Sequence, residues 1–365
     1  MSTTYRIEQL GSFLRPREVL EARAAFSQGR IPLEELRRVE DEAIRSVLEM
    51  QRQVGVEIYS DGELRRGSFL SDLADAVDGF VPDKIAIEWH GPSEGAEASA
   101  AQVVGGRLRQ HRRLTAHEVS FVKENAPGPF KMTLPSPSDF PDVSYKPGVS
   151  DRFYASRSEL LQELANIIRA EVQALLADGV PYIQLDAPRY AHYIDARLRE
   201  KLQASGLDPD DALDQALQAD AYALEGARRD GVTVGFHLCR GNSRSRWMAE
   251  GGYDPIAEEL FTRLPVDTFL LEYDSDRAGG FEPLRFVPAD KSVVLGLVTT
   301  KVPTLELQDE LLRRIDEASR YVPMERLALS PQCGFASVAA GNLITEDDQR
   351  HKLELVVDTA RKAWG

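Results

Sequence analysis

The sequence predicts an α/β fold, specifically a (β/α)8 TIM barrel with an inserted β-hairpin after the second strand. Eight short apolar runs, rich in β-branched residues and bounded by turn residues, alternate with helix-like segments, which is the pattern of repeated βα units. The length of 365 residues suits one barrel with insertions, since such barrels often exceed about 250 residues. Because no internal repeat or low-complexity linker divides the chain, we expect a single domain over residues 1–365.

The predicted strands are the runs of β-forming residues in this alternation. They are residues 5–10, 56–60, 130–134, 182–185, 233–237, 268–272, 293–298 and 327–330. Apolar residues at helical spacing, among strong helix formers, mark the segments between strands, as at residues 156–176 and 213–227.

One stretch, residues 83–114, departs from the alternation. Two strand-like runs at 85–89 and 103–109 flank a segment rich in Gly, Ser and Ala, which predicts the inserted hairpin. The proline-rich residues 135–153 follow the third predicted strand, and we expect them to form a loop over the mouth of the barrel.

The composition of the chain indicates which classes of partner it can bind. The net charge of −15 opposes binding to a nucleic-acid backbone or an anionic membrane, so we expect small-molecule partners, and a homo-oligomer stays open. The first residues lack the basic and apolar regions of a signal peptide, and no apolar run of about 18 residues occurs, so we expect a cytoplasmic protein. The two cysteines are then reduced and available for chemistry, unless both are simply small buried apolar residues.

Reactive side chains follow seven of the eight predicted strands, where the loops of a barrel converge on one mouth. They are Ser12, Glu63, Asp186, His237 with Cys239, Glu272, Lys301 and Cys333. A single carboxylate after a strand is more often a helix cap or a solvated loop residue. The joint pattern favours an active site.

Four of these residues form a coherent metal-binding set. In the run His237-Leu238-Cys239, alternate residues of an extended segment point the same way, so that imidazole and thiolate can reach one ion. Glu272 and Cys333 complete four ligands. Mixed N, S and O ligands suit Zn²⁺, and an ion surrounded by two thiolates and a carboxylate favours activation of a thiol over hydrolysis. The alternative is a closed, structural zinc site.

Several motifs together resemble the cobalamin-independent methionine synthase family, in its short bacterial branch equivalent to the catalytic barrel. The motifs are QLGSFLRP, YSDGELRRGSF, YIQLDAP, FHLCRGN, FLLEYDSDRAGGFEPL, GLVTTK and LSPQCGF, in that order over nearly the whole chain.

The resemblance implies zinc-dependent transfer of a methyl group to homocysteine, giving methionine. It implies that His237, Cys239, Glu272 and Cys333 bind Zn²⁺, and that Ser12, Glu63 and Asp186 hold the amino-acid part of homocysteine. Two departures fall on the side of the methyl donor. FKMTLPSPSDF lacks the tryptophan that packs on methyltetrahydrofolate in the full-length enzyme, and Lys301 replaces its seventh-strand histidine.

Several roles stay open at this stage. The donor is a methylated folate or another small molecule. Lys301 is a candidate general acid or a binder of an anionic donor, and Asp186 is a candidate acid-base group. Arg15 and Arg240 either steer anionic parts of a substrate or form structural pairs. The alternative functions are an epoxyalkane:coenzyme M type of thiol alkylation and a zinc-binding accessory protein without turnover.

Overall fold

The structure, a computed structural model, describes residues 5–92 and 95–365, and its centre is a parallel β-sheet. Six strands of this sheet pair in chain order. They are β3 (Lys131–Pro135), β4 (Tyr182–Asp186), β5 (Thr233–Leu238), β6 (Thr268–Glu272), β7 (Ser292–Val298) and β8 (Leu327–Pro331). Apart from Ser292 at the start of β7, these strand residues are buried, because helices pack against the sheet. The predicted α/β class with a parallel sheet is confirmed.

Helices alternate with the strands. They are α1 (Arg17–Ser27), α2 (Leu33–Val54), α3 (Ser71–Ala76), α4 (Ala116–Asn125), α5 (Pro141–Ser144), α6 (Arg157–Ala177), α7 (Ala196–Ala204), α8 (Pro209–Ala223), α9 (Ala257–Arg263), α10 (Gln308–Ser319) and α11 (Glu346–Trp364). Helix α8 begins four residues before the predicted helix at 213–227, because the Asp208 carboxylate caps it by accepting from the backbone N–H groups of Asp210 and Asp211. Within the described ranges, no helix has the length and apolar character needed to cross a membrane.

The first two predicted strands, at residues 5–10 and 56–60, each make a single parallel bridge instead of a ladder. Ile7 bridges to Leu329 in β8, and Tyr59 bridges to Phe130 beside β3. Side-chain oxygens accept hydrogen bonds from backbone N–H groups that would otherwise pair in a strand ladder. The Glu57 carboxylate accepts from the Ile7 N–H at 3.3 Å, and the Gln51 side-chain oxygen accepts from the Ser60 N–H at 3.0 Å.

An antiparallel pair of strands, β1 (Val77–Trp89) and β2 (Gly95–Gln110), stands outside the parallel sheet. Both strands are longer than the runs predicted at 85–89 and 103–109. The far end of the hairpin is attached to the loop that follows β5. There the His90 N–H donates to the Trp247 carbonyl at 2.8 Å, and the Trp247 N–H donates back at 3.2 Å.

The segment at residues 135–153, predicted to be an irregular loop, contains α5 and two short 3-10 helices, Pro137–Asp139 and Ser150–Arg152. Hydrogen bonds to helix α8 hold the start of this segment in place. The hydroxyl groups of Ser136 and Ser138 donate to the buried Asp220 carboxylate of α8 at 2.5 and 2.9 Å. This anchoring explains why most of the segment is buried and ordered into short helices.

Candidate metal centre

The carboxyl ends of β5 and β8 bring together His237, Cys239 and Cys333. His237 lies in β5, Cys239 directly follows that strand, and Cys333 lies two residues beyond β8. One ligand atom from each of the three lies within 4.8 Å of the others, and all three residues are buried. Because alternate residues of an extended segment face the same side, the H-x-C spacing allows both β5-side ligands to face Cys333.

The His237 ring is oriented for coordination through one nitrogen. Its Nδ1 lies 3.0 Å from the Leu270 carbonyl oxygen, which can only accept, so Nδ1 carries the proton. Its Nε2 is buried and has no hydrogen-bond partner among the described residues. An unpaired imidazole lone pair beside two thiols is a donor set suited to a metal ion.

The two thiols shift each other's pKa in opposite directions. Contact with Cys239 lowers the pKa of Cys333 well below its usual range, aided by His237, while the same contact and burial raise the pKa of Cys239. Two sulfur atoms, each about 2.3 Å from a tetrahedral zinc ion, lie about 3.8 Å apart. The observed separation of the Cys239 and Cys333 sulfurs is 3.8 Å. The donor set and its spacing therefore fit such an ion.

The structure does not bring the Glu272 carboxylate into this three-residue group. One carboxylate oxygen accepts from the Arg240 backbone N–H at 2.8 Å, and the other accepts from Arg277 at 2.9 and 3.1 Å. Arg277 was not identified in the sequence analysis. The only sequence signal for Arg277 was its position five residues after Glu272. That signal is too weak to distinguish Arg277 from the other cationic residues of the chain.

Glu63 borders the same cavity as the thiols. Its backbone has a φ of 55°, a left-handed conformation that is costly for a residue with a side chain. One carboxylate oxygen accepts from the Thr133 hydroxyl at 2.9 Å, and the other is buried without a partner among the described residues. The nearest cation, Arg66, lies 3.9 Å away and is itself bound to buried Glu118. Glu63 is therefore not part of a surface salt bridge.

Asp186 and Ser12 also border this cavity. Burial raises the pKa of Asp186 to about 7, although His237 and the hydrogen bond from Gln184 at 2.7 Å oppose that shift. Ser12 packs against the loop of Cys333. A Cβ atom at Gly334 would lie 2.0 Å from the Ser12 hydroxyl oxygen, so this close approach requires glycine.

Three predicted cationic residues lie outside the cavity lining and hold loops in place. Arg15 donates to the carbonyl oxygens of Arg66, Ala336 and Glu63, and burial lowers its pKa to about 10.

The other two cations hold the loop after β5. The guanidinium of Arg240 bonds to the Gly251 carbonyl and lies 4.0 Å from the centre of the Tyr253 ring. The Lys301 ammonium donates to the Gly241 carbonyl at 2.9 Å, the Asn242 side-chain oxygen at 3.0 Å and the Arg246 carbonyl at 3.4 Å. These contacts favour positioning roles for both residues.

The cavity has a volume of about 600 Å³, the size of a small-molecule site. Its walls include residues that no sequence motif predicted. Trp89 and other apolar residues come from the hairpin, and Arg189, Arg244 and Arg246 come from loops after β4 and β5. Arg244 and its neighbour Ser245 also have positive φ angles, of 52° and 65°. No local motif could have found these residues, because Trp89 precedes Arg244 by 155 positions and the hairpin meets the β5 loop only in space.

Comparisons with known proteins identify the family of this chain. The family model described as "Cobalamin-independent synthase, Catalytic domain" matches residues 1–362. The Bacillus subtilis (strain 168) uncharacterized protein YxjG is 38% identical over 369 residues, covering 99% of this chain and 95% of YxjG. A methionine synthase of Pyrococcus abyssi is 26% identical over 330 residues, covering 89% of this chain and 85% of that protein.

A solved structure from Listeria monocytogenes, described as a candidate vitamin-B12-independent methionine synthase, is also similar. It has a TM-score of 0.75 and 28% identity, and the match covers 100% of this chain and 99% of that one. The chain therefore belongs to the cobalamin-independent methionine synthase family, which is a family of methyltransferases.

Proposed function

We propose that this protein transfers a methyl group to the thiol of homocysteine, giving methionine, with a zinc ion held by His237, Cys239 and Cys333. The observation that carries the proposal is the shared cavity. It places two thiols and an unpaired imidazole nitrogen beside two buried carboxylates, Glu63 and Asp186.

The donor set supports zinc over other ions. Two sulfurs and one nitrogen suit Zn²⁺, which does not oxidise thiolates. When bound here, zinc would lower the pKa of an incoming thiol, so that the thiol is a nucleophilic thiolate at neutral pH. Because Arg277 and the Arg240 N–H already hold the Glu272 carboxylate, we propose that the substrate sulfur, rather than Glu272, takes the fourth position.

Two carboxylates support an amino-acid substrate. The unpaired Glu63 oxygen and the Asp186 carboxylate are suited to an ammonium group, and the Ser12 hydroxyl lies beside the Cys333 loop. An ammonium that enters this buried site would compensate the cost of keeping these carboxylates ionised. These residues would orient the thiol for in-line attack on the methyl carbon.

The reaction forms a sulfur–carbon bond as the bond between the methyl carbon and its carrier breaks, and the electron pair leaves with the carrier. We propose a small-molecule methyl donor, since the cavity of about 600 Å³ accommodates a drug-sized ligand beside the thiols. Lys301 is proposed as a positioning residue, because its ammonium is occupied by three oxygens of the β5 loop.

The closed barrel and the single domain are also part of this proposal. Closure is supported by the bridges from Ile7 to Leu329 and from Tyr59 to Phe130, and by the Glu57 N–H bond to the Ile7 carbonyl at 3.3 Å. These contacts link the two edges of the six-stranded sheet through segments 5–10 and 56–60, as an eight-stranded barrel requires.

One assay tests the function directly. The zinc-loaded protein is incubated with homocysteine and a panel of methyl donors that includes methyltetrahydrofolate, methylcobalamin and S-methylmethionine, and methionine is quantified. Formation of methionine that depends on zinc is the expected result. Alkylation of a mercaptosulfonate by an epoxide, but not of homocysteine, would replace this function with the alternative thiol transfer. If homocysteine fails to alter the visible spectrum of a cobalt-substituted sample, the protein is a zinc-binding accessory protein.

A further inference from the structure

Among the residues the structure describes, three side chains that line the cavity keep a buried polar atom without a hydrogen-bond partner. They are His237 through Nε2, Glu63 through Oε2 and Trp89 through its indole Nε1. Leaving such an atom unpaired is unfavourable, and native structures rarely leave one without a reason. The proposed function uses the first two atoms, for a metal ion and an ammonium group, but it does not use Trp89.

Trp89 is held firmly beside the cavity. It is the last residue of β1 and pairs with Gly95 across the hairpin, and the next residue, His90, bonds to Trp247. The ring packs with Met248 and Ala249 of the β5 loop and with Ala191, and only 7% of its surface is exposed. The indole is therefore fixed before a ligand arrives, which lowers the entropy cost of binding.

The surroundings of Trp89 define the chemistry of a ligand. Ile85 and Ile87 of the hairpin and Phe140 of the segment after β3 provide apolar walls. The Arg246 guanidinium lies 5.1 Å from the centre of the Trp89 ring, close enough for a cation–π contact. Flat, unsaturated groups bind well between such surfaces, and an indole N–H requires an acceptor.

Arginines outnumber carboxylates in the part of the cavity lining that is left for a donor. Arg189, Arg244 and Arg246 line the cavity together with Glu63, Asp75 and Asp186, and the proposed function assigns Glu63 and Asp186 to the ammonium group of homocysteine. A sulfonium donor would bring a positive charge toward these arginines. A neutral or anionic donor meets no such repulsion.

We propose that Trp89 is a binding residue for the methyl donor, donating its indole N–H to an acceptor on a flat, neutral or anionic methyl carrier. The inference rests on the proposed function for the identity of the ligand as the donor. The tryptophan of this subsite belongs to the hairpin and not to the segment after the third strand, where the sequence lacks a tryptophan. Through Trp89, the hairpin would help to select the methyl donor.

The test compares Trp89→Phe with Trp247→Phe, a matched control whose indole N–H donates to Glu250 and whose side chain does not line the cavity. Isothermal titration calorimetry measures binding of 5-methyltetrahydrofolate, S-methylmethionine and homocysteine to zinc-loaded protein. We expect 5-methyltetrahydrofolate to bind the wild type and to bind Trp89→Phe roughly fivefold to tenfold more weakly, the effect of one hydrogen bond. Trp247→Phe should change this affinity less than about twofold, and homocysteine binding should be unchanged in both variants.

A second measurement leaves Trp89 intact. The chain has three tryptophans, so Trp247→Phe with Trp364→Phe leaves Trp89 as the sole indole fluorophore. Its emission should change on addition of 5-methyltetrahydrofolate, after correction against free N-acetyltryptophanamide, and should not change with homocysteine. Equal affinity of the wild type and a folded Trp89→Phe, no emission change, or binding of S-methylmethionine alone would each overturn the proposal.

Failure of the proposed function is distinguishable from failure of this inference. If no donor yields methionine but the ligand still binds at Trp89, the subsite stands and the methyl transfer does not. If methionine forms with the same donor KM in wild type and Trp89→Phe, the methyl transfer stands and the subsite does not.

Discussion

The sulfur atoms of Cys239 and Cys333 lie 3.8 Å apart, although 94 positions of sequence separate the two residues. Parallel strands β5 and β8 end at the same edge of the sheet, and each thiol lies just past a strand end. The only two cysteines of the chain thus share one small volume with an unpaired histidine nitrogen. That volume is the centre of the proposed chemistry.

Replacing either cysteine should remove the metal. Cys239→Ser and Cys333→Ser should each weaken zinc binding by more than the roughly 10- to 100-fold that loss of a ligand's hydrogen-bond partner causes. Methionine formation should fall with the bound zinc. Metal content by mass spectrometry after dialysis checks this, with Ser337→Ala as control, because the Ser337 hydroxyl lies 3.6 Å from the Cys333 sulfur. Full zinc occupancy in both serine variants would contradict the site.

The variant Glu272→Gln tests whether Glu272 is a zinc ligand or a carboxylate that lies beside the zinc site without binding the ion. Because the Glu272 carboxylate is bound to Arg277 and the Arg240 N–H, we expect the variant to retain zinc within about 10- to 100-fold of wild-type affinity. A competition assay with a chromogenic chelator measures this. An affinity as low as that of Cys239→Ser would restore Glu272 as the fourth ligand predicted from the sequence.

Glu63→Gln should raise the KM for homocysteine about 10- to 100-fold, since a charged hydrogen bond contributes roughly 1.5–3 kcal/mol. The KM for the methyl donor should change little. Asp75→Asn serves as control, because Asp75 also borders the cavity but is exposed. Steady-state kinetics with both substrates varied give the two KM values. An equal rise of the KM for homocysteine in Glu63→Gln and Asp75→Asn would rule out a specific contact of Glu63 with the ammonium group.

Lys301→Met should act through the β5 loop. The substitution leaves the Gly241 carbonyl and the Asn242 side-chain oxygen without their donor, which should cost about 1–3 kcal/mol of stability and raise the donor KM. Lys352→Met is the matched control, because buried Lys352 donates to the Thr304 carbonyl at 2.6 Å outside the cavity lining. Thermal unfolding and kinetics are compared. Unchanged stability, with loss of one limb of the pH–rate profile, would instead identify Lys301 as a general acid.

Asp220 should make stability depend on pH in a defined direction. Burial raises its pKa to about 6, against hydrogen bonds from Ser136, Tyr190 and Ser138. The folded state therefore binds more protons than the unfolded state between the unfolded value of 3.8 and about 6, so this group lowers stability as pH rises through that window.

Asp220→Asn removes this dependence. Relative to wild type, the variant should gain on the order of 2 kcal/mol as pH rises from 4 to 7. Unfolding midpoints of both proteins at several pH values measure the difference, which cancels the titration of groups that do not interact with Asp220. A difference that stays constant with pH would show that the Asp220 carboxyl is not perturbed by burial.

Much of the fold and part of the candidate site were predictable because they depend on local patterns. Runs of β-branched residues located the six strands of the sheet, and the H-x-C spacing placed two candidate ligands on one side of an extended segment. The placement of Cys333 followed from its position after the last predicted strand. Each of these inferences uses the period of a strand or the common edge of parallel strands.

Tertiary structure decided which partner each buried polar group receives. Glu272 ends its strand as predicted, yet Arg277 and a backbone N–H occupy its carboxylate. Ile7 and Ser60 donate to side chains rather than to a full strand ladder. Trp89 reaches the cavity because the hairpin crosses to the loop after β5. Sequence periodicity determines which face a residue occupies, but competition among donors, acceptors and charges is settled only by distances through space.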